Sequence, residues 1–113
     1  MTNKYDNYPF PELQRLVDKM QEDLSKMQKE FAKFQQQEQS EVTHLELAKS
    51  KISPSDPEFA VANKAWLDRR TQSGMAVRQM QGNLRQLETE LRYAQESLDR
   101  KTKAKEEAEQ AQQ

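Results

Sequence analysis

The chain has 113 residues and nearly balanced charge, with 18 lysines and arginines against 19 aspartates and glutamates, which gives a net charge of −1. This length allows at most one small domain. The balanced charge argues against a dedicated nucleic-acid-binding protein, which usually carries a clear basic excess. The chain contains no cysteine, so disulfides and thiolate metal sites are excluded.

No part of the sequence is expected to cross a membrane, because no stretch approaches the roughly 20 apolar residues that a span requires. The N-terminus lacks the apolar run of a cleaved signal peptide. We therefore expect a cytoplasmic protein, with export by a route that uses no cleaved signal left open.

The composition favours a coiled coil over a globular fold. Ala, Glu, Lys, Leu and Arg account for 51 residues, and the chain has only two glycines and four prolines. A share of about half for these five residue types is typical of long helices. The predicted fold class is therefore all-α, with two long helices in an antiparallel coiled-coil hairpin that is able to associate into a helical bundle.

The first ten residues have no apolar period, and Pro9 and Pro11 disfavour a helix before this point. We predict a flexible aromatic and polar segment over 1–10. Its aromatic residues are Tyr5, Tyr8 and Phe10. Aromatic side chains in such a segment either pack against their own domain or anchor a partner, and the sequence leaves both interpretations open.

A heptad repeat begins at Leu13 and predicts a first helix over 11–52. Its apolar residues alternate at spacings of four and three, as in a coiled coil. They are Leu13, Val17, Met20, Leu24, Met27, Phe31 and Phe34. In the same frame the repeat continues through Glu38, Glu41, Leu45, Ala48 and Ile52. Polar residues therefore interrupt the apolar seam once.

A turn over 53–57 ends the first helix, because its first proline disfavours helix at the preceding residue and has no N–H to donate. Two starts of the second helix are consistent with the sequence. Ser55 and Glu58 have the spacing of a capping box, or Asp56 caps a helix whose first residue is Pro57.

A second heptad repeat predicts a second helix over 58–100. Its positions are Phe59, Asn63, Trp66, Arg70, Ser73, Val77, Met80, Leu84, Leu87, Leu91, Ala94 and Leu98. Folding the chain at the centre of the turn places a positions opposite d positions throughout. The polar interruptions then coincide, with Glu41 opposite Arg70 and Glu38 opposite Ser73. We interpret these four residues as a polar layer that sets the register.

The last segment, 101–113, is a charged tail with the sequence KTKAKEEAEQAQQ. It extends past the start of the first helix in the folded hairpin and has no facing partner there. We predict that this tail is frayed helix or disordered.

The turn carries a resemblance to a known family. The sequence Pro54-Ser55-Asp56-Pro57 between two amphipathic helices resembles the loop of type III secretion needle subunits, which are small helical hairpins. The likeness covers the loop and a few Ala and Leu positions after it. This chain differs in its longer first helix and its charged C-terminal end. The resemblance implies a secretion-apparatus-type hairpin subunit, or its chaperone, as an alternative function, with no residue roles carried over.

No residues in the sequence have the arrangement of a catalytic, metal or cofactor site. We therefore predict a non-enzymatic helical interaction protein, such as an assembly adaptor, a small chaperone or a structural subunit, with no cofactor. Apolar residues near the turn and off the seam are candidates for binding a protein partner or a second copy, as a homo-oligomer. They are Val42, Leu47, Ala60 and Leu67, together with the N-terminal aromatics Tyr5, Tyr8 and Phe10.

A nucleic-acid-associated helical protein is a further alternative, which would use arginines along the second helix. They are Arg69, Arg70, Arg78 and Arg85. The balanced net charge makes this the weaker interpretation. The single histidine, His44, lies beside the seam without neighbouring ligand residues, which does not favour a metal-binding or pH-sensing role.

Overall fold

The computed structural model of the protein describes residues 3–112 and is all-helical. A 3-10 helix at Lys4–Asn7 is followed by two long helices, α1 at Phe10–Ser50 and α2 at Pro57–Ala111. The two long helices pack against each other, which confirms the predicted all-α helical hairpin. Over the described residues, neither helix has an apolar run long enough to span a membrane.

The turn between the helices begins earlier than predicted. α1 ends at Ser50, whose hydroxyl donates a hydrogen bond of 2.7 Å to the Leu47 carbonyl. α2 begins at Pro57, and an Asp56 carboxylate oxygen accepts a hydrogen bond of 2.9 Å from the Glu58 N–H. Of the two predicted starts, the structure therefore has the one in which aspartate is the cap and proline is the first helical residue.

The N-terminal segment, predicted to be flexible over 1–10, forms a 3-10 helix held by its own capping box. The Asn3 side chain accepts a hydrogen bond of 3.0 Å from the Tyr5 N–H, and the Asp6 carboxylate accepts one of 3.0 Å from the Asn3 N–H. These reciprocal bonds satisfy N–H groups that a helix start leaves without partners. α1 follows directly, beginning at Phe10.

Helix α2 continues through most of the tail that was predicted to be frayed or disordered over 101–113, and it ends at Ala111. Strong helix formers continue the helix through the exposed residues 103–111, and the first residues of the tail have a partner that the heptad pairing did not supply. The N-terminal segment packs beside this part of α2, where Lys101 and Thr102 are half-buried. Lys101 donates a hydrogen bond of 2.7 Å to the Asp6 carbonyl. Three residues of the predicted terminal segments lie outside the described residues: Met1 and Thr2 of segment 1–10, and Gln113 of segment 101–113.

The chain divides into two compact units, each built from parts of both helices. Unit 1 comprises Met1–Met27 and Leu84–Gln113, and unit 2 comprises Gln28–Asn83. Unit 1 holds the buried core, which consists of Tyr5, Leu13, Val17, Met20, Ala94 and Leu98 with Phe10, Leu16, Leu87 and Leu91 packed against it. Most of these are the heptad residues that folding at the turn places opposite each other.

In unit 2 the inward face departs from the predicted frame at three positions, Glu41, Ala48 and Arg70, which are exposed. Val42 is half-buried on α1, whereas Glu41, which the strict heptad placed on the seam, is exposed. On α2, Arg69 is half-buried and Arg70 is exposed. A straight α-helix has 3.6 residues per turn, so a strict seven-residue frame rotates away by about 20° per heptad. This rotation leaves the apolar side chain facing inward and the carboxylate in water, which corrects the predicted pairing of Glu41 with Arg70.

Candidate functional site

The first group of polar contacts joins the N-terminal segment to α2 within unit 1. We call residues Asn3–Tyr8 the N-terminal clasp. One carboxylate oxygen of Asp6 accepts hydrogen bonds from the Ser97 hydroxyl at 2.6 Å and from the Arg100 guanidinium at 2.7 Å. Ser97 is fully buried, so its hydroxyl depends on this acceptor.

These donors hold the pKa of Asp6 well below its ordinary value, at about 2. The Ser97 hydroxyl is the largest cause, the Arg100 guanidinium is the second, and burial opposes both. Each donor stabilises the carboxylate over the neutral acid. The contact therefore depends on the ionised form of Asp6.

We expect unit 1 to become less stable in acid, because the clasp loses the stabilising contacts of the ionised Asp6. Because the folded-state pKa of Asp6 is lowered, its contribution to the free energy of unfolding is complete above the ordinary aspartate pKa and is lost as the pH falls towards 2. Asp6→Asn should therefore lower the Tm at neutral pH and have less effect in strong acid. Circular-dichroism melts across this pH range measure the difference.

The control for this prediction is Asp23→Asn, which changes an exposed aspartate of α1 in the same unit. Its Tm should follow that of the parent at every pH. A constant difference in Tm between parent and Asp6→Asn down to strong acid would show that the ionisation of Asp6 does not stabilise the clasp.

A second group of contacts anchors Tyr5, whose ring is buried. Its hydroxyl donates a hydrogen bond of 2.5 Å to the Glu90 carboxylate, which also forms an ion pair of 2.7 Å with Lys4. Hydrogen bonds lower the pKa of Glu90, and the bond from Lys4 has a larger effect than the bond from Tyr5. The pKa of Tyr5 is raised, chiefly by burial and secondly by its bond to Glu90. The Asn3 amide donates a further bond of 2.6 Å to the Tyr93 carbonyl. Of the two interpretations left open, Tyr5 therefore packs against its own unit.

The other two N-terminal aromatics differ in exposure. Phe10 is half-buried against the core, and the Lys105 Nζ lies 5.0 Å from the centroid of its ring, a cation–π contact. Tyr8 is 42% exposed, and its ring centroid lies 6.0 Å from that of Tyr5. Tyr8 is therefore the N-terminal aromatic that retains surface for a partner.

Unit 2 buries no apolar side chain, although every residue from 28 to 83 is described. Its single buried residue is Ser73. Its exposed large apolar residues are Leu47, Val61, Leu67 and Met75, with exposures of 57%, 72%, 44% and 63%. Among the other predicted partner-binding residues, Val42 is half-buried and Ala60 is exposed. Burial of apolar surface is the main source of tertiary stabilisation, so unit 2 obtains little of it within a single chain.

The centre of unit 2 is the half-buried Trp66, which the heptad predicted on the seam. The Lys49 Nζ lies 3.8 Å from its ring centroid and the Arg70 Cζ lies 5.4 Å from it, so that two cations contact one ring. Lys49 also donates a hydrogen bond of 3.3 Å to the Asn63 side-chain oxygen. The Trp66 Nε1 is buried without an acceptor among the described residues, which costs about 1–3 kcal/mol.

The four residues of the predicted polar layer are not all brought together. Glu38 forms an ion pair of 2.8 Å with Arg69, which the sequence analysis had not placed in the layer. The buried Ser73 lies one helical turn farther along α2 and borders the same groove as Glu38. Glu41 is exposed, and Arg70 lies over the tryptophan ring. A role for this layer in setting the register stays a prediction.

A groove of about 310 Å³ lies between α1 and α2 in unit 2. Val42 and Gln39 line it from α1, and Arg70, Gly74 and Val77 line it from α2. Its walls are therefore a mixture of small apolar side chains and long polar ones. Gly74 has no Cβ, so the α2 backbone is uncovered at this position. A Cβ added there would have the Arg78 guanidinium as its nearest neighbour, at 3.8 Å.

A stripe of α2 extends this groove towards the turn. Ala60, Leu67 and Gly74 follow one another at intervals of seven residues, which places them on one side of the helix. We call the groove and this stripe together the groove face. Three of the predicted partner-binding residues, Val42, Ala60 and Leu67, belong to it. Leu47 does not line the groove; it lies with Ser40 and His44 on another side of α1.

Within residues 3–112 no group of three or more His, Cys, Asp or Glu side chains is arranged to hold a metal ion. His44 is exposed. No family model, curated protein or solved structure matches the chain. The chain's own residues are therefore the basis for any functional proposal.

The N-terminal clasp is the feature that sequence analysis missed. One local signal was present, because Asn3 and Asp6 have the three-residue spacing of a capping box. The contacts of Asp6 with Ser97 and Arg100 join residues that are far apart in the sequence. No local pattern marks these α2 residues as partners of the N-terminus.

Proposed function

We propose that the protein is a non-enzymatic helical interaction protein whose groove face binds another helical chain by coiled-coil packing. The observation that carries this proposal is that unit 2 buries no apolar side chain over residues 28–83. Two-helix packing without a buried core contributes little stability. A further helix laid on the groove face would cover side chains that the hairpin leaves in contact with water.

The residues of the groove face suit a helix as the ligand. Leu67 offers an apolar side chain that is 44% exposed, and Ala60 and Gly74 one heptad on either side offer little bulk. The distance between packed helices depends on the side chains at their contact, so small residues favour close approach. Contiguous exposed apolar surface with a polar rim is typical of protein interaction sites.

The alternatives have less support from the contacts. An enzyme needs a pocket that removes its reacting groups from water, and the groove is open to solvent, with exposed glutamine and arginine side chains among its walls. A nucleic-acid-binding role would use the α2 arginines, but Arg69 forms an ion pair with Glu38. Arg70 lies over the Trp66 ring.

The test of this function is Leu67→Lys. A charge at the centre of the groove face should weaken association at least tenfold, because truncating or charging an apolar residue at the centre of an interface costs the most binding energy. Helicity should remain nearly unchanged, since the side chain is exposed in the single chain. Light scattering over a concentration series measures association with a second copy, and pull-down with purified parent and variant measures binding of other proteins.

The matched control is Leu47→Lys, the same substitution at a residue of similar exposure outside the groove face. It should leave association at the parent level. The proposal fails if the parent is a monomer at high concentration and if, in the pull-down, the parent and Leu67→Lys retain the same proteins.

A further inference from the structure

We infer that the chain bound by the groove face is a second copy of this protein, arranged so that α1 of each copy packs antiparallel on α2 of the other and both turns lie at the same end. This inference rests on the proposed function and names its partner. Three observations carry it: the charges of the two helices in unit 2, the ion pairs that the single chain leaves unmade, and the symmetry that satisfies them.

The two helices of unit 2 carry opposite charge along the groove. On α1, residues 35–49 contain three glutamates and one lysine, Lys49. On α2, residues 63–78 contain one lysine, three arginines and one aspartate. These segments lie alongside each other, since Glu38 pairs with Arg69 at 2.8 Å and Lys49 bonds Asn63 at 3.3 Å. Each hairpin therefore presents an acidic helix beside a basic one.

The single chain uses only part of this complementarity. Among the described residues, the Glu38–Arg69 contact is the one ion pair within unit 2. Glu46 on α1 and Lys64 and Arg78 on α2 are exposed and make none. Glu46 is one turn from Val42 on the groove face, and Lys64 is one turn from both Ala60 and Leu67. Unpaired charges of opposite sign thus flank the groove on its two helices.

Symmetry decides how two such hairpins can meet. If the two-fold axis runs along the helices, α1 of one copy faces α2 of the other and each acidic segment meets a basic one. If the axis runs across the helices, α1 faces α1 and α2 faces α2, so that like charges oppose each other. Opposite charges beside an apolar seam determine partner and orientation in coiled coils. The first arrangement is therefore the one that the charges favour.

The first arrangement also preserves the levels of the residues along the hairpin. Because Lys49 bonds Asn63 in one chain, Glu46 lies close to the level of Lys64. A two-fold axis along the helices leaves these levels unchanged, so Glu46 of each copy lies level with the lysine at position 64 in the other. The dimer then contains this ion pair twice.

The decisive experiment exchanges the two charges. Glu46→Lys and Lys64→Glu should each weaken the dimer about tenfold, since each places two like-charge contacts in the homodimer. An equimolar mixture of the two variants should recover the parent affinity, because the heterodimer has both contacts with opposite charge. Sedimentation equilibrium measures the dissociation constants, and circular dichroism verifies that each variant is helical. If the mixture is no tighter than either variant alone, the pairing is wrong.

The position of the turns is tested by crosslinking. The parent has no cysteine, so Ser55→Cys introduces a single thiol in the turn. With both turns at one end, a short bismaleimide should link two copies. In the other arrangement the turns are separated by the length of the overlapping arms, roughly 30 Å for 20 residues at 1.5 Å each, and no link forms. Ser40→Cys, on the opposite side of α1, controls for random collision.

The outcomes separate this inference from the proposed function. A parent that is monomeric, but that retains another protein lost by Leu67→Lys, overturns the second copy and leaves the interaction function standing. A dimer without the Ser55→Cys crosslink overturns the arrangement alone. A monomer that retains no such protein overturns both.

Discussion

Tyr5→Ala is expected to lower the free energy of unfolding by about 3 kcal/mol, at the lower end of the range for removing a buried aromatic ring. The Tyr5 ring is 8% exposed and belongs to the core of unit 1, and its hydroxyl is bonded to Glu90. The substitution leaves a cavity in the core and removes one of the two donors to the Glu90 carboxylate, the other being Lys4. Urea titration followed by circular dichroism measures the loss.

Two further variants separate the ring of Tyr5 from its hydroxyl and from general effects of the segment. Tyr5→Phe keeps the ring and should cost about 1 kcal/mol, the net value of one hydrogen bond. Tyr8→Ala removes a ring that is 42% exposed and should change stability by no more than about 0.5 kcal/mol. Equal losses for Tyr5→Ala and Tyr8→Ala would mean that the clasp does not hold Tyr5 in the core.

Leu13→Ala is the second substitution with a large expected effect, a loss of about 3 kcal/mol in the free energy of unfolding. Leu13 is fully buried at the start of the seam, in the same cluster as Val17 and Leu98. Its neighbours come from both helices, so the cavity cannot close without moving one of them. The same urea titration measures the effect.

The matched control for this prediction is Leu47→Ala, the same change at a side chain that is 57% exposed in unit 2. It should alter stability by no more than about 0.5 kcal/mol. A loss at Leu13 no greater than that at Leu47 would contradict the assignment of the core to unit 1.

Together these predictions assign different physical roles to the two units. Unit 1 contains every buried apolar side chain among the described residues, including Leu13 and Tyr5. Unit 2 contains the exposed Leu67 and the groove, which we propose as the interaction face. Substitutions in unit 1 are therefore expected to change stability, and substitutions such as Leu67→Lys are expected to change association.

The sequence alone was sufficient to predict the two helices, the hairpin and a turn between the helices, although the turn begins earlier than predicted. These features follow from local chemistry, since the heptad spacing from Leu13 to Phe34 selects a helical period and the prolines at 54 and 57 end one helix and begin the next. Most residues in the core of unit 1 were also predicted, because an uninterrupted apolar seam has a single face to bury. Leu13, Val17, Ala94 and Leu98 are examples.

In unit 2 the heptad frame identified most of the inward residues but was wrong at three positions, Glu41, Ala48 and Arg70. Val42 and Lys49 are half-buried, and Glu41 and Ala48 are exposed, one position away from the prediction in each case. In unit 1, where the seam is apolar, burial of its side chains determines which heptad positions face inward. In unit 2 no buried apolar side chain fixes the frame, and Glu38, which was predicted opposite Ser73, forms its ion pair with Arg69.

Only the tertiary structure determined the place of the N-terminus and the extent of α2. Tyr5 is buried because its ring reaches the core and its hydroxyl reaches Glu90, and Asp6 is held by Ser97 and Arg100. These contacts join positions separated by 85 to 94 residues. Periodicity and turn chemistry describe neighbours along a helix, whereas the free energy of these bonds exists only once the hairpin has brought the two ends of the chain together.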